Sequence, residues 1–185
     1  MRVFAVVASL ALCTACVTPP PLRSSDADAL GALEAALLAL PGEITADDAA
    51  RLAAGALDAT ADLHAHYRPL RPPHVGNMAY HMGLRERALC CHWARDLLHA
   101  LSALDLESVQ LHWGVAHYGS ALREHSAVVA VPRGGSFEQG LVLDAWRHSG
   151  RLLHVRVDRD RYPWVPHPAN DVRLRLACRA DEARE

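Results

Sequence analysis

The segment HSAVVAVPRGGSFEQGLVLDAW, residues 125–146, decides the architecture. Its two ends, Ser126 to Val131 and Leu141 to Trp146, are short runs of branched and apolar residues of the kind that form buried strands. Between them, Arg133-Gly134-Gly135-Ser136 and Gln139-Gly140 break the chain, so the two runs read as a hairpin with a long loop. Working outward, Val109 to Ala116, Leu152 to Val157 and Val172 to Ala177 share this texture, with His148-Ser149-Gly150 as a further break. Before Asp105 the pattern is helical. Asp26 to Leu40, Thr45 to Tyr67 and about Arg85 to Leu104 repeat apolar residues every three or four positions, the last with Leu89, Trp93, Leu97, Leu101 and Leu104 on one stripe. Asp26 and Thr45 are expected N-caps, and Pro69, Pro72 and Pro73 end the second helix and open a loop from Arg68 to about Tyr80. Helices followed by strands predict an α+β fold, with N-terminal helices packed on a mostly antiparallel sheet.

Composition narrows the chemistry. The 185 residues are 51% apolar and 22% charged, enough for one core of ordinary size. All 19 basic residues are arginine, which excludes a Schiff-base lysine, a P-loop lysine and a Ser-Lys dyad. A net charge of −2, with the arginines scattered, argues against nucleic acid as a partner. Neither Gly119-Ser120 nor Gly135-Ser136 lies in a GxSxG elbow. The 12 histidines include His64-x-His66, whose side chains diverge on a helix, and there is no HExxH; neither metal nor cofactor is expected.

The leader carries an address. Met1-Arg2 and the apolar run Val3 to Leu12 have the form of a secretory signal too short to span a bilayer as a helix. The run ends in Cys13-Thr14-Ala15-Cys16, which resembles a bacterial lipoprotein lipobox, with Cys13 where leucine is usual. The resemblance implies a signal peptide over residues 1–15 and lipidation of Cys16. Pro19-Pro20-Pro21 then holds an extended tether over residues 16–25, leaving residues 26–185 as a single domain. The expected location is the bacterial cell envelope, anchored by lipid with the domain in the periplasm. Read as a redox CxxC, Cys13 to Cys16 would sit in the wrong context, at the end of a leader.

Three residues carry the candidate chemistry. Cys90 lies near the predicted start of the third helix, where free N–H groups and the helix dipole favour a thiolate. His125 heads one hairpin strand and Asp144 lies on the other. Alternation puts His125 on a face with Val129 and Val131, and Asp144 on one with Val142 and Trp146, so the hairpin can bring the two opposite or diagonal. The carboxylate would then hold the imidazole while its other nitrogen faces the thiol.

Cys90 with Trp93 and Ala94 three and four residues later, then His125 opening a strand, then Val142-Leu143-Asp144, is similar to the transglutaminase-like branch of the papain-like cysteine hydrolases. The resemblance covers about Ala88 to Trp146, with Ala88 where glycine is usual. It implies a papain-like or transglutaminase-like core and a Cys-His-Asp enzyme acting on amide bonds in peptides or proteins of the envelope. Asn77, in the loop before the third helix, is a candidate oxyanion donor.

The alternatives stay open at this stage. Cys91 points about a quarter turn from Cys90 and reads as a core residue or a disulfide partner for Cys178; if Cys90 pairs instead, catalysis fails. His125 and Asp144 can equally be a buried structural pair. His92 is not expected to face Cys90. Trp113 and Trp146 either line a cleft or pack the sheet. The rival function is an inactive lipoprotein that serves as a binding or scaffolding module.

Overall fold

The computed structural model describes residues 18, 20–120 and 122–168. Among these residues, four helices, α1 (Ala27–Leu38), α2 (Ala46–Tyr67), α3 (Pro73–His81) and α4 (Cys90–Ser102), precede the strands. These are β1 (Val109–Ala116), β2 (His125–Pro132), β3 (Leu141–Asp144), β4 (Leu153–Arg156) and β5 (Trp164–Pro166). Strand order is β4-β3-β2-β1-β5 and every neighbouring pair is antiparallel. The chain is therefore α+β, helices first and an antiparallel sheet second.

Local sequence explains the helices. In α2 the Thr45 hydroxyl accepts from the Asp48 amide at 3.1 Å, and Asp47 and Asp48 complement the positive end of the helix. Its buried Ala49, Leu52, Ala53, Ala56 and Leu57 form the stripe that meets α1 and α4. Asp26 stands at the N-cap of α1 but its side chain caps nothing there; Oδ2 accepts from the Arg23 amide at 2.7 Å instead. Ahead of α1 the chain is already docked, since Ser24 binds Asp58 through both its amide (3.0 Å) and its hydroxyl (2.6 Å). In α4, Trp93, Leu97 and Leu101 recur every fourth residue and pack with Val128, Ala130, Leu141 and Leu143 of the sheet. Each fully buried side chain of this size contributes about 1.5–3 kcal/mol. The other sheet face, with Ala127, Val129, Val131 and Val142, is covered by Phe137, Val157 and Trp164.

Register positions the residues that matter. Val128 faces Leu143 and Ala130 faces Leu141, which continues to Ala127 opposite Asp144. His125, two residues further, is therefore the diagonal neighbour of Asp144 on the same face. Ala116 of β1 pairs with His125 on one side and Trp164 on the other, so those three form one cross-strand row.

Several expectations need correction. Residues 73–81, expected as loop, form α3: Pro73 occupies the first helical turn, where a missing N–H costs nothing. The third predicted helix starts five residues later than Arg85, at Cys90. Residues 85–89 have good helix propensity, but Arg85 Nη1 donates to the carbonyls of Tyr67 (3.0 Å) and Arg68 (2.7 Å) at the end of α2, and Ala88 O accepts from Trp146, so tertiary bonds override it. Trp146 lies beyond the end of β3 and packs with the helix-side cluster, not with Val142. Strand β5, which follows Pro163 and ends in Pro166, carries no period-two signal. Cys16, the leader, the predicted strand Val172–Ala177 and Cys178 lie outside the described residues.

Candidate active site

The first residue of β2 and the last of β3 form the core of the site. His125 Nε2 lies 2.6 Å from Asp144 Oδ2, and both side chains are buried, 4% and 1% exposed. Asp144 Oδ1 also accepts from the amides of Trp146 (2.9 Å) and Arg147 (3.0 Å), and Oδ2 from Arg147 Nε at 2.6 Å. A carboxylate receiving four donors is held in one orientation, and it holds the imidazole in turn. Arg147 continues outward to Asp160, Nη1 at 3.0 Å and Nη2 at 2.7 Å, and Trp164 Nε1 donates to Asp160 at 2.9 Å. Arg147 and Asp160 carried no motif and were missed in the sequence; a basic residue three positions after Asp144 is the one faint signal.

Cys90 arrives from the helix side. It is the first residue of α4, with Leu89 as N-cap in extended conformation. The first-turn amides of a helix have no intrahelical acceptor, and that of Cys90 has none among the described residues. His92, which sequence logic set aside, shapes this terminus: its Nδ1 accepts from the amides of Ala88 and Leu89, each at 3.3 Å. A fully buried imidazole thus fills the N3 position from which glutamate or glutamine usually reaches back to the N-cap amide. Cys91, buried beside it, is disulfide-bonded, whereas Cys90 carries a free thiol and is partly exposed. The Cys90 sulfur lies 3.9 Å from Glu124 O, immediately before His125.

The His125 ring links these two halves. With Nε2 taken by Asp144, Nδ1 is buried without a hydrogen bond of ordinary geometry among the described residues. Cys90 is the further side chain that acts on the ring. Burial disfavours the imidazolium, but the charge and hydrogen bond of Asp144, with smaller contributions of both kinds from Cys90, outweigh it and raise the His125 pKa to about 10. Asp144 responds in the opposite sense: burial favours the neutral acid, yet the charge and hydrogen bond of His125, then Arg147, hold it at about 2. The two shifts describe one buried ion pair.

Aromatic rings complete the enclosure. Trp146, Tyr162 and Trp164 lie 5.0, 5.4 and 5.5 Å from the His125 ring, and Arg147 stacks over Tyr162 at 4.7 Å. Trp146 Nε1 donates both to Asn77 Oδ1 (3.2 Å) and to Ala88 O (3.1 Å). An indole N–H is donor only, so Asn77 must present its oxygen here and turn its NH2 elsewhere. Asn77 is thereby brought to the site through Trp146, on α3. Trp113 is away from this cluster, half-buried beside His167 at 5.4 Å. Among the described residues no three His, Cys, Asp or Glu side chains converge as metal ligands, and no helix is long and apolar enough to cross a membrane.

Fold and site together define an α+β protein with a free thiol at a helix start beside a buried His-Asp pair. Set against known proteins, the chain matches no family model, no curated protein and no solved structure.

Proposed function

We propose that the chain is an envelope-anchored thiol hydrolase or acyltransferase with a papain-like, transglutaminase-like core, acting on peptide-like amide bonds. The observation that carries this reading is the disposition of the His125 ring: Nε2 is fixed by Asp144 at 2.6 Å, and Nδ1 is left for Cys90. That is the arrangement a nucleophile, its proton carrier and an orienting group require.

The steps follow from these groups. The thiol proton resides on His125, and the Cys90 sulfur attacks the amide carbonyl carbon, forming an S–C bond while the carbonyl oxygen takes the charge. The Cys90 amide, and Asn77 through its NH2, are the proposed donors to that oxygen. His125 returns its proton to the departing amine as the C–N bond breaks. Water releases the acyl group in a hydrolase, an amine in a transferase, with His125 accepting the proton of the incoming nucleophile. Asp144 keeps the ring oriented and stabilises its charge throughout. Lipidation at Cys16 would hold the domain at a membrane, with periplasmic peptides or proteins as substrates.

The rival reading, an inactive module that binds or scaffolds partners, draws support from the sulfur's contact with Glu124 O, a place where an unused thiol can rest. Alkylation separates the two. A catalytic Cys90 reacts with iodoacetamide at neutral pH at least tenfold faster than an unactivated thiol, and His125→Ala abolishes the advantage; equal rates in both proteins favour the scaffold.

A further inference from the structure

The segment that leads into Cys90 also lines the wall beside it. Arg85 and Arg87 line a narrow cleft together with Ala88, Trp93 and Trp146, and the same two arginines line an adjoining, more open groove with Arg68 and Glu86. The cleft therefore touches the catalytic cluster directly: Trp146 packs on His125, and Ala88 is two residues from the thiol.

The arginines are not equivalent. Arg85 is committed, its Nη1 bound to the carbonyls of Tyr67 and Arg68. Arg87 is not: its Nη1 is shielded from solvent and has no acceptor among the described residues. A guanidinium nitrogen stripped of water and given no partner is costly, and the cost disappears when an anion supplies the acceptor. Glu86 lines the open groove as an exposed residue, and Asp96, reached through Tyr67, is engaged by the Tyr67 hydroxyl and Arg95. Three arginines against one lining carboxylate leave the groove positive.

Building on the thiol-enzyme reading, we propose that Arg87 is a specificity residue that seats a substrate carboxylate in the open groove beside this cleft, so that the preferred substrates are acidic peptides or peptides with a free terminal carboxylate. Arg87 and Cys90 are three residues apart, which limits their Cα separation to about 11 Å. A carboxylate one or two residues from the scissile carbonyl spans that gap.

Three probes test this without a known substrate: iodoacetyl-Gly-Gly, its uncharged amide, and iodoacetyl-glutamic acid α-amide, which carries its carboxylate on a side chain. In each the Cys90 sulfur forms an S–C bond as the C–I bond breaks and iodide leaves. Wild-type Cys90 is expected to react about fivefold or more faster with a carboxylate probe than with the amide, as one charge-assisted hydrogen bond allows. The faster of the two acids tells a terminal carboxylate from a side-chain one. Arg87→Gln should bring the ratio to about one, and Arg87→Lys should keep part of it. High salt should shrink the wild-type ratio, a readout that survives if Arg87→Gln fails to fold. A wild-type ratio near one, or a ratio indifferent to both salt and Arg87→Lys, overturns the proposal. Slow reaction with the amide probe itself would instead count against the thiol-enzyme reading, so the two failures are distinguishable.

Discussion

Replacing Asp144 by asparagine changes one oxygen to NH2 at a site where four donors converge. In the native protein Oδ1 serves the amides of Trp146 and Arg147, and Oδ2 serves His125 Nε2 and Arg147 Nε. Whichever way the new amide turns, its NH2 confronts two donors, and the buried imidazolium loses its counter-charge. Raising an imidazole from 6.5 to about 10 corresponds to about 5 kcal/mol of preference for the cation, at 1.36 kcal/mol for each tenfold change. Truncating one member of a buried pair costs about 3–5 kcal/mol by general experience, so Asp144→Asn should destabilise by about that amount. The ring has one escape, which is to become neutral with its proton on Nδ1 and accept from the new NH2 through Nε2. That tautomer presents N–H to Cys90 and cannot take its proton. Urea unfolding therefore reports the stability loss, while the rate of iodoacetamide reaction at Cys90 should fall at least tenfold under conditions where the variant remains folded. A variant that unfolds within 1 kcal/mol of the parent and alkylates at the parental rate would refute the reasoning at its base.

Three further outcomes are expected, two from the structure and one from the leader sequence. His125 has a raised pKa, so its contribution to stability is complete below about pH 6.5 and is lost as the pH rises through about 10; Asp144, held at about 2, contributes fully above about pH 4 and loses it below. The difference between the wild-type and His125→Ala melting curves should shrink between pH 7 and 10, and a pH-independent difference contradicts the ion pair. Gly150 has φ +85, and a Cβ there would lie 2.5 Å from His64 Cδ2 and 3.0 Å from the Trp93 ring, so Gly150→Ala should cost about 1–3 kcal/mol in urea unfolding; an unchanged midpoint contradicts this packing. Cys16→Ala should move the protein from the membrane fraction to the soluble one in a bacterial host, and unchanged sedimentation contradicts lipid anchoring at that residue.

What could be read from the chain in advance was whatever depends on local pattern. Branched residues around Gly134 and Gly140 announce β2 and β3, and the two-residue alternation that puts His125 on the face of Val129 follows from strand geometry alone; with register added, it becomes the diagonal to Asp144. The start of α4 was not legible, because it depends on Arg85 reaching α2 and Trp146 reaching Ala88, contacts of 17, 18 and 58 residues in sequence separation. Arg147 and Asp160 escaped for a similar reason. An arginine on a surface-like turn gains meaning only when β5 returns beside β1 and Trp164 joins the network. Prolines at 69, 72 and 73 misled in the other direction, since Pro73 opens α3 as readily as it ends α2. His92 looked idle on a helical wheel and became a cap once the helix began two residues before it, with Leu89 as N-cap.

The claim that sulfur, imidazole and carboxylate act as one unit is tested most directly by a double-mutant cycle on Cys90 alkylation, comparing the parent, His125→Ala, Asp144→Asn and the double variant. Groups that work through one another are non-additive: with the ring gone, the carboxylate has nothing left to orient. The double variant should react at the rate of His125→Ala alone, within about twofold. Losses that multiply would mean that Asp144 and His125 influence the thiol separately, and the chain from Cys90 through His125 to Asp144 would be broken.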